Sequence, residues 1–106
     1  MRQSLPHRRP NFTTEAEFKG HLLSITVGYD LEGQPREVFA NTQHSGSDMQ
    51  ASLADACVLV SVALQYGVPP EALGRSLGRV PTFSGGTIAE GPASPLGVIL
   101  GALTNV

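Results

Sequence analysis

The chain has little of what redox, disulfide and nucleic-acid chemistry require. Its 106 residues contain one cysteine and no tryptophan, and only 15% of them are charged. The single cysteine, Cys57, has no second thiol with which to form an internal disulfide. The formal net charge of -2 provides no general attraction for phosphate groups. Any nucleic-acid contact would therefore have to be local.

Long apolar runs and targeting signals are also missing. No run approaches the roughly 20 apolar residues that a membrane-spanning helix needs, and the N-terminus lacks the residue order of a secretion signal. We therefore expect a soluble, cytoplasmic protein with no membrane contact. Arg2, Arg8 and Arg9 lie among prolines, so we expect residues 1–11 to form a flexible basic arm and residues 12–106 to form a single domain.

Alternating apolar and polar residues predict three strands. The first starts at Phe12, the second lies in HLLSITVGYD and the third in REVFANT. The short turns at Lys19-Gly20 and LEGQP favour an antiparallel meander. One face of such a sheet meets water, whereas the other needs cover from helices.

Helical patterns follow the strands. Apolar residues recur at three- and four-residue spacing from Leu53 to Leu64, and Gly67 with two prolines ends this long helix. PPEALGRSLGRV predicts a shorter helix, and SPLGVILGAL predicts a third that Ser94 caps. The Gly-, Ser- and Pro-rich stretch TFSGGTIAEGPASP predicts a loop. The predicted fold class is α+β, with a three-stranded antiparallel β-meander packed against two to three helices.

Three stretches together resemble the TSCPD domain: GHLLSITVGYDLEGQPREVF, SGSDMQASLADACVLVSVALQYGVPPEAL and ASPLGVIL. That domain is found near the C-terminus of large adenosylcobalamin-dependent ribonucleotide reductases and as small stand-alone proteins, and the resemblance spans residues 15–100. The Thr-Ser-Cys-Pro-Asp stretch of the family corresponds here to residues 92–96. Ser94 stands at its cysteine and Leu96 at its aspartate, so any role of that thiol or carboxylate is absent.

The resemblance raises ribonucleotide reduction as an activity, and the cysteine count argues against it. That reaction needs a thiyl radical on one cysteine and a further cysteine pair as reductant. Cys57 alone cannot fill three roles, and no Cys-x-x-Cys tail follows the domain. Within DACVLVSVAL its thiol is expected to pack as a small hydrophobic group with a raised pKa. We therefore predict no catalytic residue and no cofactor.

The segment before the long helix provides the main ligand-binding hypothesis. Backbone N–H groups at the start of a helix can hold an anion, although capping of the helix is the more common use of such residues. No histidine has zinc-ligand spacing, so no metal site is expected. Glu37, in the Pro-x-Glu-Val-Phe strand that the resemblance makes characteristic, joins the candidate ligand-binding set. The other members of this set are His44, Ser45, Gly46, Ser47 and Asp48.

Arginines are the candidates for contact with nucleic acid or a protein partner: Arg2, Arg8, Arg9, Arg75 and Arg79. Their usual role is solubility and surface pairing. The long helix with Gly67 imitates a helix-turn-helix. The start of its second helix lacks base-reading polar groups, so we expect a core element instead.

Unused apolar surface on these helices predicts a homodimer, formed by sheet-edge pairing or by helix packing. The leading functional hypothesis is a non-catalytic binding or regulatory module. Two alternatives stay open: an accessory subunit or remnant of a ribonucleotide reductase, and a nucleic-acid-associated regulator that uses the basic arm.

Overall fold

A computed structural model describes residues 10–42, 48–84 and 86–104 of the chain. In these residues the elements follow in the order β1 (Asn11–Phe18), β2 (His21–Tyr29), β3 (Pro35–Thr42), α1 (Asp48–Gln65), α2 (Pro70–Gly74), β4 (Arg79–Ser84), β5 (Thr87–Pro92) and α3 (Pro95–Thr104). The predicted α+β class is confirmed.

The first three strands form an antiparallel sheet in the order β1-β2-β3, as the sequence predicted. Lys19 and Gly20 have φ angles of 50° and 82°, which are the left-handed values of the tight turns that join twisted hairpin strands. Because β2 is central, its alternate residues Leu23, Ile25 and Val27 are fully covered. They form the middle of the core.

Helix α3 covers this face of the sheet, and α1 encloses the core from the edge at β3. Elements other than β2 contribute the remaining buried core side chains, which are Val38, Ala40, Leu53, Cys57, Val60, Leu64, Ile99, Leu100 and Leu103. Burial of these aliphatic groups is the main stabilising contribution to a domain of this size. Among the described residues, no helix is both long and apolar enough to cross a lipid bilayer.

Helix α1 ends as the sequence predicted. Gly67 has a φ of 93°, and its N–H donates to the carbonyl of Leu64 at 3.0 Å. The N–H of Val68 donates to the carbonyl of Ala63 at 3.1 Å, which completes a glycine-terminated helix end. The helix that follows is shorter than predicted, because α2 covers only Pro70–Gly74. One turn and a half is too short to serve as a recognition helix, so α2 does not complete a helix-turn-helix.

The loop predicted between Thr82 and Pro95 is wrong: β4 and β5 form an antiparallel hairpin there. Ser84 pairs with Thr87, and Gly86 has a φ of 79°. A Gly-Gly pair between short β-forming segments is a known hairpin signal. The high Gly, Ser and Pro content of the stretch favoured a loop instead. Pro81 is tolerated because a strand in a two-stranded hairpin always has one open edge.

Candidate functional site

Helix α1 lies along the outer edge of β3, in the position that a fourth strand would take. In an antiparallel sheet, the N–H and C=O groups of alternate residues point to the same edge. On β3 the residues whose backbone groups point away from β2 are Arg36, Val38, Ala40 and Thr42. Unpaired groups along such an edge would attract another strand.

Three polar side chains of α1 satisfy this edge. Gln50 accepts from the N–H of Thr42 at 2.7 Å and donates to the carbonyl of Ala40 at 3.4 Å. Ser61 accepts from the N–H of Val38 at 2.9 Å and donates to its carbonyl at 3.2 Å. Gln65 donates to the carbonyl of Arg36 at 3.2 Å. We call this row of contacts the seam.

Sequence reasoning missed the seam, although its signal was present. Positions 50, 54, 57, 61 and 65 recur every three or four residues and therefore form one stripe of the helix. Polar residues that recur along one buried stripe of a helix indicate that this stripe faces a polar surface. Here the polar surface is the outward-pointing backbone of β3 rather than a set of side chains.

Cys57 belongs to the same stripe and is 3% exposed. Burial raises the pKa of its thiol, and a hydrogen bond from the N–H of Ala40 offsets part of that rise. The prediction that this thiol packs as a small hydrophobic group with a raised pKa agrees with its burial. Because the thiolate is the reactive form, this environment makes Cys57 a poor nucleophile.

An ion pair fixes one end of the seam. Asp30 accepts from the N–H groups of Glu32 and Gln34, each at 2.9 Å, and from Nε of Arg36 at 2.9 Å. The backbone hydrogen bond from Gln34, followed by the bond from Arg36, lowers the pKa of the Asp30 carboxyl. Arg36 also donates from Nη1 to the carbonyl of Leu64 at 2.7 Å, which joins the β2–β3 turn to the end of α1. Both charged groups therefore hold the fold together.

A groove of about 500 Å³ lies beside the seam. Phe39 from β3 and Val58 from α1 line it, with Ala54 and Val62 as further apolar lining. Phe39 is 55% exposed and Val58 is 60% exposed. Such a groove suits an apolar side chain of a binding partner.

Glu37 lies at the rim of this groove, and its side chain extends across the neighbouring strand β2. A Cβ atom built on Gly28 would stand 2.7 Å from Cγ and from Oε1 of Glu37. Gly28 therefore leaves room for the Glu37 side chain to lie across β2. This position gives a physical reason for a glycine within β2.

The TSCPD domain family matches residues 2–105. The chain belongs to this family. The vitamin B12-dependent ribonucleotide reductase of Agrobacterium fabrum is 33% identical over 70 residues, which are 66% of this chain and 6% of that protein. The enzyme of the same name from Rhodopirellula baltica is 32% identical over 72 residues, or 68% of this chain and 7% of that protein. No solved structure matches.

The chain thus spans less than a tenth of the length of these reductases. Residues 92–96 lead into α3, where Ser94 accepts from the N–H of Gly97 at 3.3 Å. Ser94 therefore caps the helix, as predicted. Gly97 packs closely there, since a Cβ on it would lie 2.7 Å from Cβ of Pro92.

The ligand-binding prediction lies mostly outside the described residues. His44, Ser45, Gly46 and Ser47 are among the residues that the structure does not describe, and Asp48 is an exposed residue in the first turn of α1. The predicted anion site at this segment therefore stays a prediction. Within the described ranges, no three His, Cys, Asp or Glu side chains gather as metal ligands.

Of the five candidate arginines, the structure describes two. Arg2, Arg8 and Arg9 lie outside the described residues. Arg75 and Arg79 both line a groove of about 340 Å³ between α2 and α3, away from Glu37. Nε of Arg79 lies 3.6 Å from Oε2 of Glu90, and Nη2 of Arg79 donates to the backbone carbonyl of Glu90 at 3.0 Å. Both contacts are surface pairing within the β4–β5 hairpin.

Proposed function

We propose that this TSCPD-domain chain is a non-catalytic protein-binding module and that it binds through the groove between β3 and α1. The observation that carries the proposal is the pair of exposed apolar side chains, Phe39 and Val58, on the two walls of the groove. Removing such side chains from water favours association, because apolar surface buried at an interface contributes free energy in proportion to its area.

The chemistry around the groove supports binding rather than catalysis. The thiol of Cys57 is protonated and buried, and the polar groups of Gln50 and Ser61 hydrogen-bond the backbone of β3. A catalytic group must be in a reactive protonation state and within reach of a substrate. These groups instead hold the wall of the groove in place.

We propose a vitamin B12-dependent ribonucleotide reductase as the partner. In the similar proteins, the matching segment is 5–7% of one long polypeptide with that name. A separate chain of the same family could bind the surface that such a segment contacts within its own reductase. The module would then act beside the reductase in nucleotide metabolism, as an accessory or regulatory subunit.

Two matched variants test the surface. Val58→Asp places a charge in the groove, whereas Leu59→Asp places the same charge one residue further along α1, at a position that is 72% exposed and does not line the groove. Affinity for an immobilised reductase from the same organism is measured by biolayer interferometry. We expect Val58→Asp to weaken binding by more than about tenfold, since an unpaired charge buried at an apolar contact costs over 1.4 kcal/mol, and Leu59→Asp to leave affinity nearly unchanged.

Equal effects of the two variants would contradict the assignment of the groove. Absence of binding by the wild-type chain would contradict the choice of partner. A separate assay mixes the purified chain with ribonucleotides, adenosylcobalamin and a dithiol. Formation of deoxyribonucleotide by the chain alone would contradict the non-catalytic role.

A further inference from the structure

The outer edge of β1 differs from that of β3. Within residues 10–42, 48–84 and 86–104, β1 pairs with β2 on one side and with no strand on the other. The N–H of Tyr29 donates to the carbonyl of Pro10 at 2.9 Å, so the even-numbered residues of β1 bond to β2. The backbone groups of its odd-numbered residues therefore point outward. These residues are Asn11, Thr13, Glu15 and Glu17.

A groove with a mostly apolar lining, to which Glu15 and Arg79 also belong, runs beneath this edge. It has a volume of about 820 Å³ and lies between β1 and α3, with Ala16, Val98 and Ala102 in its lining. Phe12 is at its border and is 55% exposed. An eight-residue edge strand without an internal proline, next to an apolar groove, is a surface on which another strand can add.

We propose that the occupant is a second copy of this chain, and that two β1 strands pair antiparallel about a twofold axis at Thr14. The two three-stranded sheets then form one sheet of six strands. Outward-pointing residues must face each other across the new junction, which restricts the axis to Thr13, Thr14 or Glu15 near the middle of the strand.

Charge and size select the axis at Thr14. There Thr13 faces Glu15 of the partner subunit and Asn11 faces Glu17 of the partner subunit, so each carboxylate faces a neutral polar side chain rather than another carboxylate. On the other face, Phe12 meets Ala16 of the partner subunit. The small residue leaves room for the ring to enter the groove of that copy.

The other two axes are less favourable. An axis at Glu15 sets two carboxylates directly opposite each other, which destabilises a strand pair. An axis at Thr13 leaves Glu17 and Phe18 beyond the paired region, so fewer backbone hydrogen bonds form. The strand sequence is self-complementary about Thr14 alone among these three centres.

Single cysteine variants of the full-length chain read the register directly. Across an axis at Thr14, the two Thr14 residues form a non-hydrogen-bonded pair with Cα atoms about 4.5 Å apart, within the range for a disulfide. Thr14→Cys, Thr13→Cys and Glu15→Cys each report one of the three axes. The wild-type chain is the background control, because its own Cys57 is buried.

After mild oxidation, non-reducing electrophoresis measures the crosslinked fraction. We expect Thr14→Cys to crosslink several-fold more than the other two variants. Strongest crosslinking of Thr13→Cys or Glu15→Cys would overturn the register. Equal crosslinking of all three, or none at all, would overturn the pairing of β1 strands.

A proline variant tests the interface without a crosslink. Glu15→Pro removes an outward-pointing N–H and leaves the hydrogen bonds to β2 intact, whereas Glu15→Ala keeps that N–H. By light scattering, we expect Glu15→Ala to keep the dimer mass and Glu15→Pro to fall to the monomer mass of 11.1 kDa, with circular dichroism unchanged. A folded Glu15→Pro chain that stays dimeric, or a monomeric wild type, would overturn the proposal. Both outcomes are independent of reductase binding, which uses the other edge of the sheet.

Discussion

The hydroxyl of Ser61 serves both backbone groups of one residue on a different element: it lies 2.9 Å from the nitrogen and 3.2 Å from the carbonyl oxygen of Val38. A neighbouring strand would normally provide those two hydrogen bonds. Helix α1 thus ends the sheet at β3 by satisfying its edge with side chains. The groove that we propose as the binding surface depends on this arrangement, because its two walls are β3 and α1.

Replacing Ser61 with alanine should weaken the fold. The N–H and C=O of Val38 would lose their partner while α1 still hinders access of water, so we expect a loss of about 1–3 kcal/mol in the free energy of unfolding. Urea denaturation monitored by circular dichroism measures it. Ser52→Ala is the control on the same helix, since Ser52 is exposed, and should change stability by less than about 0.5 kcal/mol. Similar losses in the two variants would contradict the role given to the seam.

Gly28→Ala should be destabilising because of Glu37. The added Cβ would stand 2.7 Å from Cγ of that side chain, and such overpacking costs about 1–3 kcal/mol. In a Glu37→Ala background the obstructing atoms are gone, so the same substitution should cost much less. A double-mutant cycle based on urea denaturation measures the difference. An equal cost in both backgrounds would show that another contact requires the glycine.

Asp30→Asn should lower stability near neutral pH and change its dependence on acid. The pKa of Asp30 is lowered in the folded state, so its contribution is fully present above the unfolded value of 3.8 and is lost as the pH falls through the folded value. The stability difference between wild type and variant should therefore shrink below pH 3.8. Urea denaturation over a pH series measures it, with Glu32→Gln in the same turn as the control. A difference that does not vary with pH would contradict the lowered pKa of Asp30.

The thiol of Cys57 should react slowly in the native protein. It is buried and its pKa is raised, so a disulfide reagent such as dithiobis(nitrobenzoate) at pH 8 should modify it rapidly only after unfolding in urea. The raised pKa also contributes stability that is present below the ordinary value of 9.0 and is lost as the pH rises through the folded value. The stability advantage of wild type over Cys57→Ala should therefore fall above pH 9.0. Rapid labelling of the native chain would contradict the buried position.

Predictions from the sequence succeeded where local pattern decides the structure. The meander follows from alternation around Leu23, Ile25 and Val27, and the end of α1 follows from Gly67, because both depend on neighbours in sequence. The β4–β5 hairpin was not predicted, because Gly and Pro are common both in irregular loops and in the turns and edges of short hairpins. The short segments on either side of Gly85-Gly86 have the pattern of paired strands.

The candidate site was less accessible to prediction. Glu37 lies at its rim, but Phe39, Val58 and the seam were not identified. Val38 and Ser61 are 23 positions apart, so no local periodicity shows that one will satisfy the other. The candidate arginines were grouped by charge, whereas the structure places Arg79 beside Glu90 on the surface of the β4–β5 hairpin.

The sequence by itself determined the class of fold, the TSCPD family and the presence of one thiol, since each depends on residue types and their order. Only the tertiary structure decided which edge of the sheet the helix covers and which edge has no strand partner among the described residues, because hydrogen bonds of an edge strand find their partners through space. That difference between β3 and β1 separates the proposed partner groove from the proposed dimer interface.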